Sequence, residues 1–136
     1  MLDKINPEAV DDPDLQVFTN LTGVGSMEVN AFQRTADFVL QKSIREGFGL
    51  VVAEAFWKSR PVVAGRAGGI PLQFPAGYEG YLVESVDECA EKALFLLEHP
   101  DVADSFGRAG RAKVQTEFLL PRLLRDELRL MKDLVA

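Results

Sequence analysis

Two glutamates and the glycines between them are the residues of this sequence that could do chemistry. Glu46 and Glu54 enclose Gly-Phe-Gly-Leu-Val-Val-Ala and lie eight positions apart. Glycine lets the backbone adopt a positive φ and lets a ligand approach the main chain closely. If a helix begins near Phe48, its first N–H groups have no partner within the helix and favour an anion such as a diphosphate. The spacing alone carries no weight, because the chain is rich in Glu.

The two carboxylates could bind groups on either side of that anion. Glu54 lies on an apolar helix, where a buried carboxylate is costly unless it accepts hydrogen bonds, and a ribose diol offers two donors. Glu46, at the mouth of the helix, could accept sugar hydroxyls. Five helical residues rise about 7.5 Å, similar to the length of a diphosphate link. An alternative stays open, in which Glu46 favours the helix dipole and Glu54 makes a structural hydrogen bond.

The predicted elements around this segment alternate between strand and helix. Apolar runs predict four strands, over residues 15–20, 37–41, 61–64 and 80–83. Helical spacing predicts helices over 26–36, with Ser26 as N-cap, and over 50–59, 85–100, 101–118 and 120–136. This order predicts an α/β fold with a doubly wound, Rossmann-like parallel sheet and C-terminal helices. Ligands bind outside the carboxyl ends of such strands, where the glycine-containing loops 19–25, 41–49 and 64–71 lie.

Composition narrows the class of protein. The 136 residues fit one domain, and the net charge of −6, without a basic stripe, argues against nucleic acid as a partner. No apolar run approaches the roughly 20 residues that span a bilayer, and no basic cluster favours a membrane surface. Cys89 is the only cysteine, which excludes an internal disulfide and a thiolate metal cluster. We therefore expect a cytoplasmic protein, with residues 1–14 as a leader or linker remnant.

Four short motifs make the sequence resemble a known enzyme family. They are Glu46-Gly-Phe-Gly-Leu-Val-Val-Ala-Glu54-Ala, Arg60-Pro-Val-Val-Ala, Gly68-Gly-Ile-Pro71 and Gly80-Tyr-Leu-Val83. In combination they resemble the retaining glycosyltransferases of family 4, which have the GT-B fold and a two-glutamate signature. The resemblance extends from Leu15 to Ala136. Residues 33–74 are most similar to members that join a nucleotide-activated glucose to free glucose, giving α,α-trehalose.

The resemblance implies a role for each residue of the segment. Glu46 is implied to be catalytic, binding hydroxyls of the transferred sugar, and Glu54 is implied to bind the ribose. The backbone implied to bind the phosphates is that of Gly47, Phe48, Gly49 and Leu50. The implied donor is ADP-glucose or UDP-glucose, with no metal and no cofactor. The implied reaction retains anomeric configuration by front-face attack, and the protein contributes positioning and charge stabilisation.

The same resemblance implies that half of the enzyme is missing. Residues 15–136 correspond to the donor-binding domain, and the acceptor site belongs to an N-terminal domain that this sequence lacks. The family also neutralises the diphosphate with an Arg and a Lys upstream of the first strand, where Lys4 is the sole cation. Lys42 and Arg45 flank Glu46, but solvated surface roles are favoured for them. We therefore expect little or no transferase activity from this chain alone.

Other functions remain open. The missing Arg/Lys pair favours a non-catalytic nucleotide-binding or interaction module. Half of another GT-B enzyme also fits, such as a sucrose or glycogen synthase-like transferase, a sugar-nucleotide epimerase or a phosphorylase. A phosphorylase with pyridoxal phosphate needs a Schiff-base lysine, for which neither Lys42 nor Lys58 has a convincing context. Many relatives have Leu-Pro-Ser where this chain has Gln41-Lys42-Ser43, and Glu where it has Leu72.

The remaining reactive or aromatic residues are predicted to be structural. His99 precedes Pro100 and is predicted to be a surface cap at a helix end, and Cys89 a core or boundary residue. Phe56 and Trp57 are predicted to pack in the core. The leucines of 120–136 predict a packing face, part of which is exposed because the family's final helix returns to the first domain. Exposed apolar area predicts self-association, and so a homo-oligomer.

Overall fold

The described part of the chain, in a computed structural model, comprises residues 12–19, 21 and 23–135. The chain divides into two compact units, Met1–Ala31 and Phe32–Ala136. In the first unit, residues 15–19 form no strand, so the strand predicted over 15–20 is wrong there, and Asn20 lies outside the described residues. Leu15, Val17 and Phe18 are exposed, and an apolar alternation becomes a strand only when a neighbouring strand pairs with it. Most of the predicted leader, residues 1–11, also lies outside the described residues.

The first helix of the described residues, α1, runs over Ser26–Thr35, and its residues from Phe32 onward belong to the second unit. Ser26 is its first residue rather than its N-cap. The Gly25 N–H donates to Glu28 Oε2 at 2.8 Å. Main-chain N–H groups at positions 28 and 25 hold the pKa of Glu28 below its ordinary value. The apolar residues Val29 and Phe32, which lie at helical spacing, are exposed, and the buried residue of this helix is Gln33.

Three parallel strands form the sheet of the second unit. They are β1 (Val39–Gln41), β2 (Val62–Gly65) and β3 (Leu82–Val83), in the order β1-β2-β3. All four residues of β2 are buried, so both faces of the central strand are covered, as in α/β proteins. The predicted α/β class with a parallel sheet is confirmed, and the arrangement is consistent with a Rossmann-like half of a GT-B fold.

Five helices follow β1 in the chain. They are α2 (Leu50–Trp57), the short α3 (Ile70–Gln73), α4 (Val86–Glu98), α5 (Pro100–Glu117) and α6 (Leu120–Val135). A 3₁₀ turn, Glu79–Tyr81, leads into β3. Helix α2 contacts β1 and β2, α4 contacts β2 and β3, and α5 contacts α2, α3 and α4.

The core is built around Phe56 of α2. Its ring centroid lies 5.5 Å from those of both Phe74 and Phe106, within the range of favourable aromatic pairs. Helix α5 approaches α2 through two glycines, Gly107 and Gly110. A Cβ at Gly110 would overlap the Phe56 ring, and a Cβ at Gly107 would overlap the Ser59 carbonyl. The glycines therefore allow close packing of the two helices.

Helix α4 begins with a capping box. Ser85 Oγ accepts the Glu88 N–H at 3.0 Å, and Glu88 Oε2 accepts the N–H groups of Glu84 at 2.7 Å and Ser85 at 3.3 Å. Ser85 is thus the N-cap of this helix. The N–H groups of Glu84 and Ser85 hold the pKa of Glu88 below its ordinary value.

Helix α6 buries none of its residues. Its exposed apolar side chains include Leu120, Leu123, Leu124, Leu128, Leu130, Met131 and Leu134. The expectation of exposed apolar area on this helix is confirmed, whereas self-association stays a prediction. No helix of the described residues is long and apolar enough to cross a bilayer.

Candidate functional site

The carboxyl ends of the three strands form one edge of the sheet. Gln41 lies beside Ala64, and Gly65 beside Val83, so the loops after β1, β2 and β3 leave the sheet at the same edge. The loop after β1 carries Glu46 and leads into α2. This edge is therefore where the fold brings the predicted site residues together.

Gly49 is the N-cap of α2 and has a φ of +83°, a left-handed conformation that favours glycine. A Cβ at this position would also lie 2.7 Å from Ile70 Cγ1. The helix begins at Leu50, so the predicted start of α2 is confirmed. Its N-terminus points to the carboxyl edge of the sheet.

In the main chain that enters α2, the carbonyl oxygens of Gly47 and Gly49 accept hydrogen bonds from other main-chain N–H groups. The Gly69 N–H donates to the Gly47 carbonyl at 2.7 Å, and the Val52 N–H donates to the Gly49 carbonyl at 2.9 Å. Among the described residues, no acceptor contacts the N–H groups of Phe48, Gly49, Leu50 and Val51. Unpaired N–H donors at a helix N-terminus, together with the helix dipole, favour an anionic group.

Glu46 lies in the loop before this N-terminus and is half-buried. Its Oε1 accepts the N–H of Gly47 at 3.0 Å, and its Oε2 accepts Gln41 Nε2 at 3.4 Å. The same amide group of Gln41 donates to Ser43 Oγ at 2.8 Å. Gln41, one of the positions where the sequence departs from many relatives, therefore helps to orient Glu46.

Glu54 is exposed, so the expectation of a buried carboxylate on an apolar helix is wrong. It lies one turn beyond Leu50 and one turn before Trp57, on the exposed face of α2, whereas Val52 and Phe56 form the buried face. The reason is that this helix is apolar on both faces, so composition did not reveal which face turns inward. The rise from Leu50 to Glu54 is about 6 Å.

A buried glutamine orients Glu54. Gln33 Nε2 donates to Glu54 Oε2 at 3.3 Å, and Gln33 Oε1 accepts Lys58 Nζ at 2.7 Å. The lysine can only donate, so it fixes which end of the Gln33 amide faces Glu54. Sequence reasoning missed Gln33, since nothing in its neighbourhood in the chain marks it as a partner of a residue in α2.

Three cationic side chains near this edge, Lys42, Arg45 and Arg66, differ in whether they have a hydrogen-bond or ion-pair partner. Lys42 Nζ donates to the Glu84 carbonyl at 3.2 Å, and Arg66, which follows β2, lies 3.5 Å from the Glu84 carboxylate. Arg45 is exposed and has no ion-pair partner among the described residues. Sequence reasoning missed Arg66, although its position beside the glycines of the loop after β2 was a usable signal.

The other residues singled out in the sequence are structural. His99 lies between α4 and α5, stacks on Phe95 at 4.0 Å between centroids and contacts the Phe95 carbonyl through Nδ1 at 2.8 Å. Cys89 is partly buried against the core. Phe56 is fully buried as predicted, but Trp57 is 39% exposed and lies under the Arg111 guanidinium, 4.9 Å from the ring centroid.

A cavity of about 300 Å³ lies at the opposite, amino-terminal edge of the sheet, lined by Asp37, Arg60, Leu96 and Asp104 among others. The N-terminus of α2 does not reach this cavity, and the Asp37 and Asp104 carboxylates that line the cavity disfavour an anion. We therefore place the candidate site at the carboxyl edge. Among the described residues, no group of three or more His, Cys, Asp or Glu side chains could hold a metal ion.

Comparison with known families decides the membership of this chain. The sequence profile of the family described as "Glycosyl transferases group 1" matches residues 15–113. The chain belongs to the glycosyl transferases group 1 family. The matched range of this group 1 glycosyl transferase contains α1 to α4, all three strands and both glutamates.

Curated relatives agree with this membership. A "Trehalose synthase" of Rubrobacter xylanophilus is 57% identical over 92% of the chain, and one of Thermococcus litoralis is 50% identical over 90%. The chain spans about 30% of the length of each of these two proteins. A "Trehalose phosphorylase" of Grifola frondosa is 41% identical over 65% of the chain and is covered over 12% of its own length. The predicted resemblance to a GT-B glycosyltransferase of the trehalose synthase kind is thus confirmed.

Proposed function

We propose that this chain forms the donor-binding half of a retaining glycosyltransferase. The enzyme transfers glucose from ADP-glucose or UDP-glucose to glucose and so forms trehalose. The observation that carries the proposal is the start of α2, where unpaired N–H groups lie between two oriented glutamates in a group 1 glycosyl transferase. A diphosphate lies at those N–H groups, the transferred glucose at Glu46 and the ribose at Glu54.

Each residue then contributes positioning or charge stabilisation. The N–H groups at the start of α2 stabilise the negative charge that grows on the leaving diphosphate. Glu46, oriented by Gln41, accepts hydroxyls of glucose and holds the anomeric carbon in place for front-face attack. The leaving phosphate takes the proton of the acceptor hydroxyl, so no protein base and no metal is required. Glu54, oriented by Gln33, fixes the ribose and hence the register of the whole donor.

The acceptor binds to a separate N-terminal domain, and this chain alone has little or no transferase activity. Relatives more than three times as long support this part of the proposal. The exposed leucines of α6 then contact that domain, or a second copy of the chain when the domain is absent. Sedimentation over a concentration series tests self-association, and a strictly monomeric chain at high concentration would contradict it. We place the enzyme in the cytoplasm.

Titration calorimetry with ADP, UDP and their glucose conjugates tests donor binding. Glu54→Gln should weaken nucleotide and nucleotide sugar alike, whereas Glu46→Gln should weaken only the glucose conjugates. A hydrogen bond to a charged group contributes about 1.5–3 kcal/mol, so each loss should be roughly tenfold or more. Glu98→Gln, at an exposed position of α4, is the matched control and should bind like the wild type. If neither glutamate variant changed affinity, the proposed site would be wrong.

The likeness to trehalose phosphorylases favours a second candidate, a half-enzyme that transfers glucose to or from inorganic phosphate. The same N–H groups would then bind the phosphate of glucose 1-phosphate, and Glu54 would have no ribose to bind. Calorimetry separates the two functions. Glucose 1-phosphate binding that is insensitive to Glu54→Gln, without nucleotide binding, supports the phosphorylase. Mixing the chain with a separately produced N-terminal domain then shows which donor yields trehalose.

A further inference from the structure

Gln73, the last residue of α3, is fully buried beside the candidate site. Its Nε2 donates to the carbonyl of Phe48 and, at 3.3 Å, to the carbonyl of Gly49. Carbonyl oxygens only accept, so the amide nitrogen must face them. One side-chain amide therefore binds two successive carbonyls of the main chain that enters α2.

These two hydrogen bonds help to fix where the neighbouring N–H groups point, together with the Val52 N–H, which also donates to the Gly49 carbonyl at 2.9 Å. In a trans peptide the carbonyl and the following N–H lie in one plane and point in opposite directions, and no cis peptide occurs in the described chain. With the Phe48 and Gly49 carbonyls directed at the buried amide, the N–H groups of Gly49 and Leu50 point away from it. These are two of the four N–H groups at the start of α2 that have no acceptor among the described residues.

The amide oxygen of Gln73 argues against a purely packing role for this residue. Its Oε1 is buried and has no hydrogen-bond partner within the described residues. A buried unpaired polar atom costs free energy that an apolar side chain of the same length would avoid. The neighbours Ile70 and Phe74 are apolar core residues, so leucine or methionine would suit the position better if packing were its only role.

We infer that Gln73 is a positioning residue, which turns the Gly49 and Leu50 N–H groups toward the diphosphate of the donor without touching the donor itself. The inference rests on the proposed function, because it takes the anion at the start of α2 from there.

Gln73→Met tests the inference, since methionine keeps the length and apolar stem but has no donor. We expect the full chain with this substitution to bind ADP-glucose or UDP-glucose, whichever the wild type prefers, about tenfold more weakly, the equivalent of two ordinary hydrogen bonds at most. Leu96→Ala in α4 is the matched control, because it removes a buried side chain that lines the cavity at the opposite, amino-terminal edge of the sheet. The control should lower the melting temperature at least as much and leave affinity unchanged.

Amide NMR on the ligand-free proteins supplies a readout that loss of stability would not move. In Gln73→Met the Gly49 and Leu50 amide resonances should shift while those of β2 stay in place, and in the wild type the Gln73 side-chain amide protons should exchange slowly with solvent. If Gln73→Met bound the nucleotide sugar as tightly as the wild type, the inference would be overturned. If the variant failed to fold, rapid solvent exchange of the Gln73 side-chain amide protons in the wild type would overturn it instead. A wild type that bound no nucleotide or nucleotide sugar would instead refute the proposed function, and the NMR comparison would still decide whether Gln73 orients these amides.

Discussion

Replacing Gly68 with alanine should destabilise the protein much more than the same change at Gly77. Both glycines have a positive φ, +53° at Gly68 and +87° at Gly77. Alanine in this conformation costs roughly 1–2 kcal/mol at either position. The loss of chain entropy in the unfolded state is also common to both substitutions, so it cancels in the comparison.

The surroundings of the two glycines differ. A Cβ at Gly77 would meet nothing within 4 Å, whereas a Cβ at Gly68 would overlap the Glu46 carbonyl and lie 2.7 Å from the Gly47 carbonyl oxygen. These obstacles are main-chain atoms, which cannot rotate away as a flexible side chain can. Overpacking of this kind costs about 1–3 kcal/mol. We therefore expect a loss of about 1–2 kcal/mol for Gly77→Ala and roughly 2–5 kcal/mol for Gly68→Ala.

Urea unfolding followed by circular dichroism and by the fluorescence of Trp57 measures the difference in unfolding free energy. Calorimetry with the nucleotide sugar adds a second comparison, because displacement of Glu46 and Gly47 should also weaken binding in Gly68→Ala and not in Gly77→Ala. Equal losses of stability in the two variants would refute the close contact between Gly68 and the Glu46 main chain. Reduced stability with undiminished affinity would show that this contact does not support the donor site.

Three further changes test other parts of the structure. Because main-chain N–H groups lower the folded-state pKa of Glu88, its ionised form stabilises the protein above the unfolded pKa, and this stabilisation is lost as pH falls through the folded pKa. The wild type should therefore be more stable than Glu88→Gln at pH 7. In urea titrations this difference in unfolding free energy should shrink as the pH falls below 4.5, the ordinary pKa of a glutamate, and a difference independent of pH would contradict this reasoning. Gly110→Ala should destabilise by up to about 2 kcal/mol in the same assay, because overlap with the Phe56 ring costs about 1–3 kcal/mol against a helix-propensity gain of about 1 kcal/mol, and a more stable variant would contradict the packing. Gln33→Met should weaken ADP binding severalfold by releasing Glu54, and calorimetry that found unchanged affinity would contradict the orienting role.

The sequence predicted those elements whose signals are local. The buried run of β2 and the helical periodicity of α4 and α5 lie within short stretches of chain and were predicted correctly. The strand predicted over 15–20 was wrong, because a strand depends on a partner that its own residues do not specify. The exposure of Glu54 was missed for a related reason, since its surroundings are set by how α2 packs on the sheet.

The contacts that orient the candidate site were the hardest to predict, because their partners are distant in the chain. Gln73 lies 25 residues from Phe48 and Gln33 lies 21 residues from Glu54, so no local period connects either pair. The sequence shows only that Gln73 interrupts an apolar run between Leu72 and Phe74. Side-chain amides of this kind have no fixed place in a helix or strand pattern, and their role appears only when the fold brings acceptors to them.

The loop over residues 64–71 was predicted to lie at the ligand-binding edge, and the contacts of the segment Gly68–Gln73 favour a supporting role. At this edge the segment lies against the chain that enters α2, next to Glu46, Gly47, Phe48 and Gly49. Gly68 and Gly69 admit the backbone of the neighbouring loop, the Gly69 N–H binds a carbonyl, and Gln73 binds two more. The glycine-proline motif therefore supports the proposed donor site from behind, and its variation should change affinity for the donor without any contact to it.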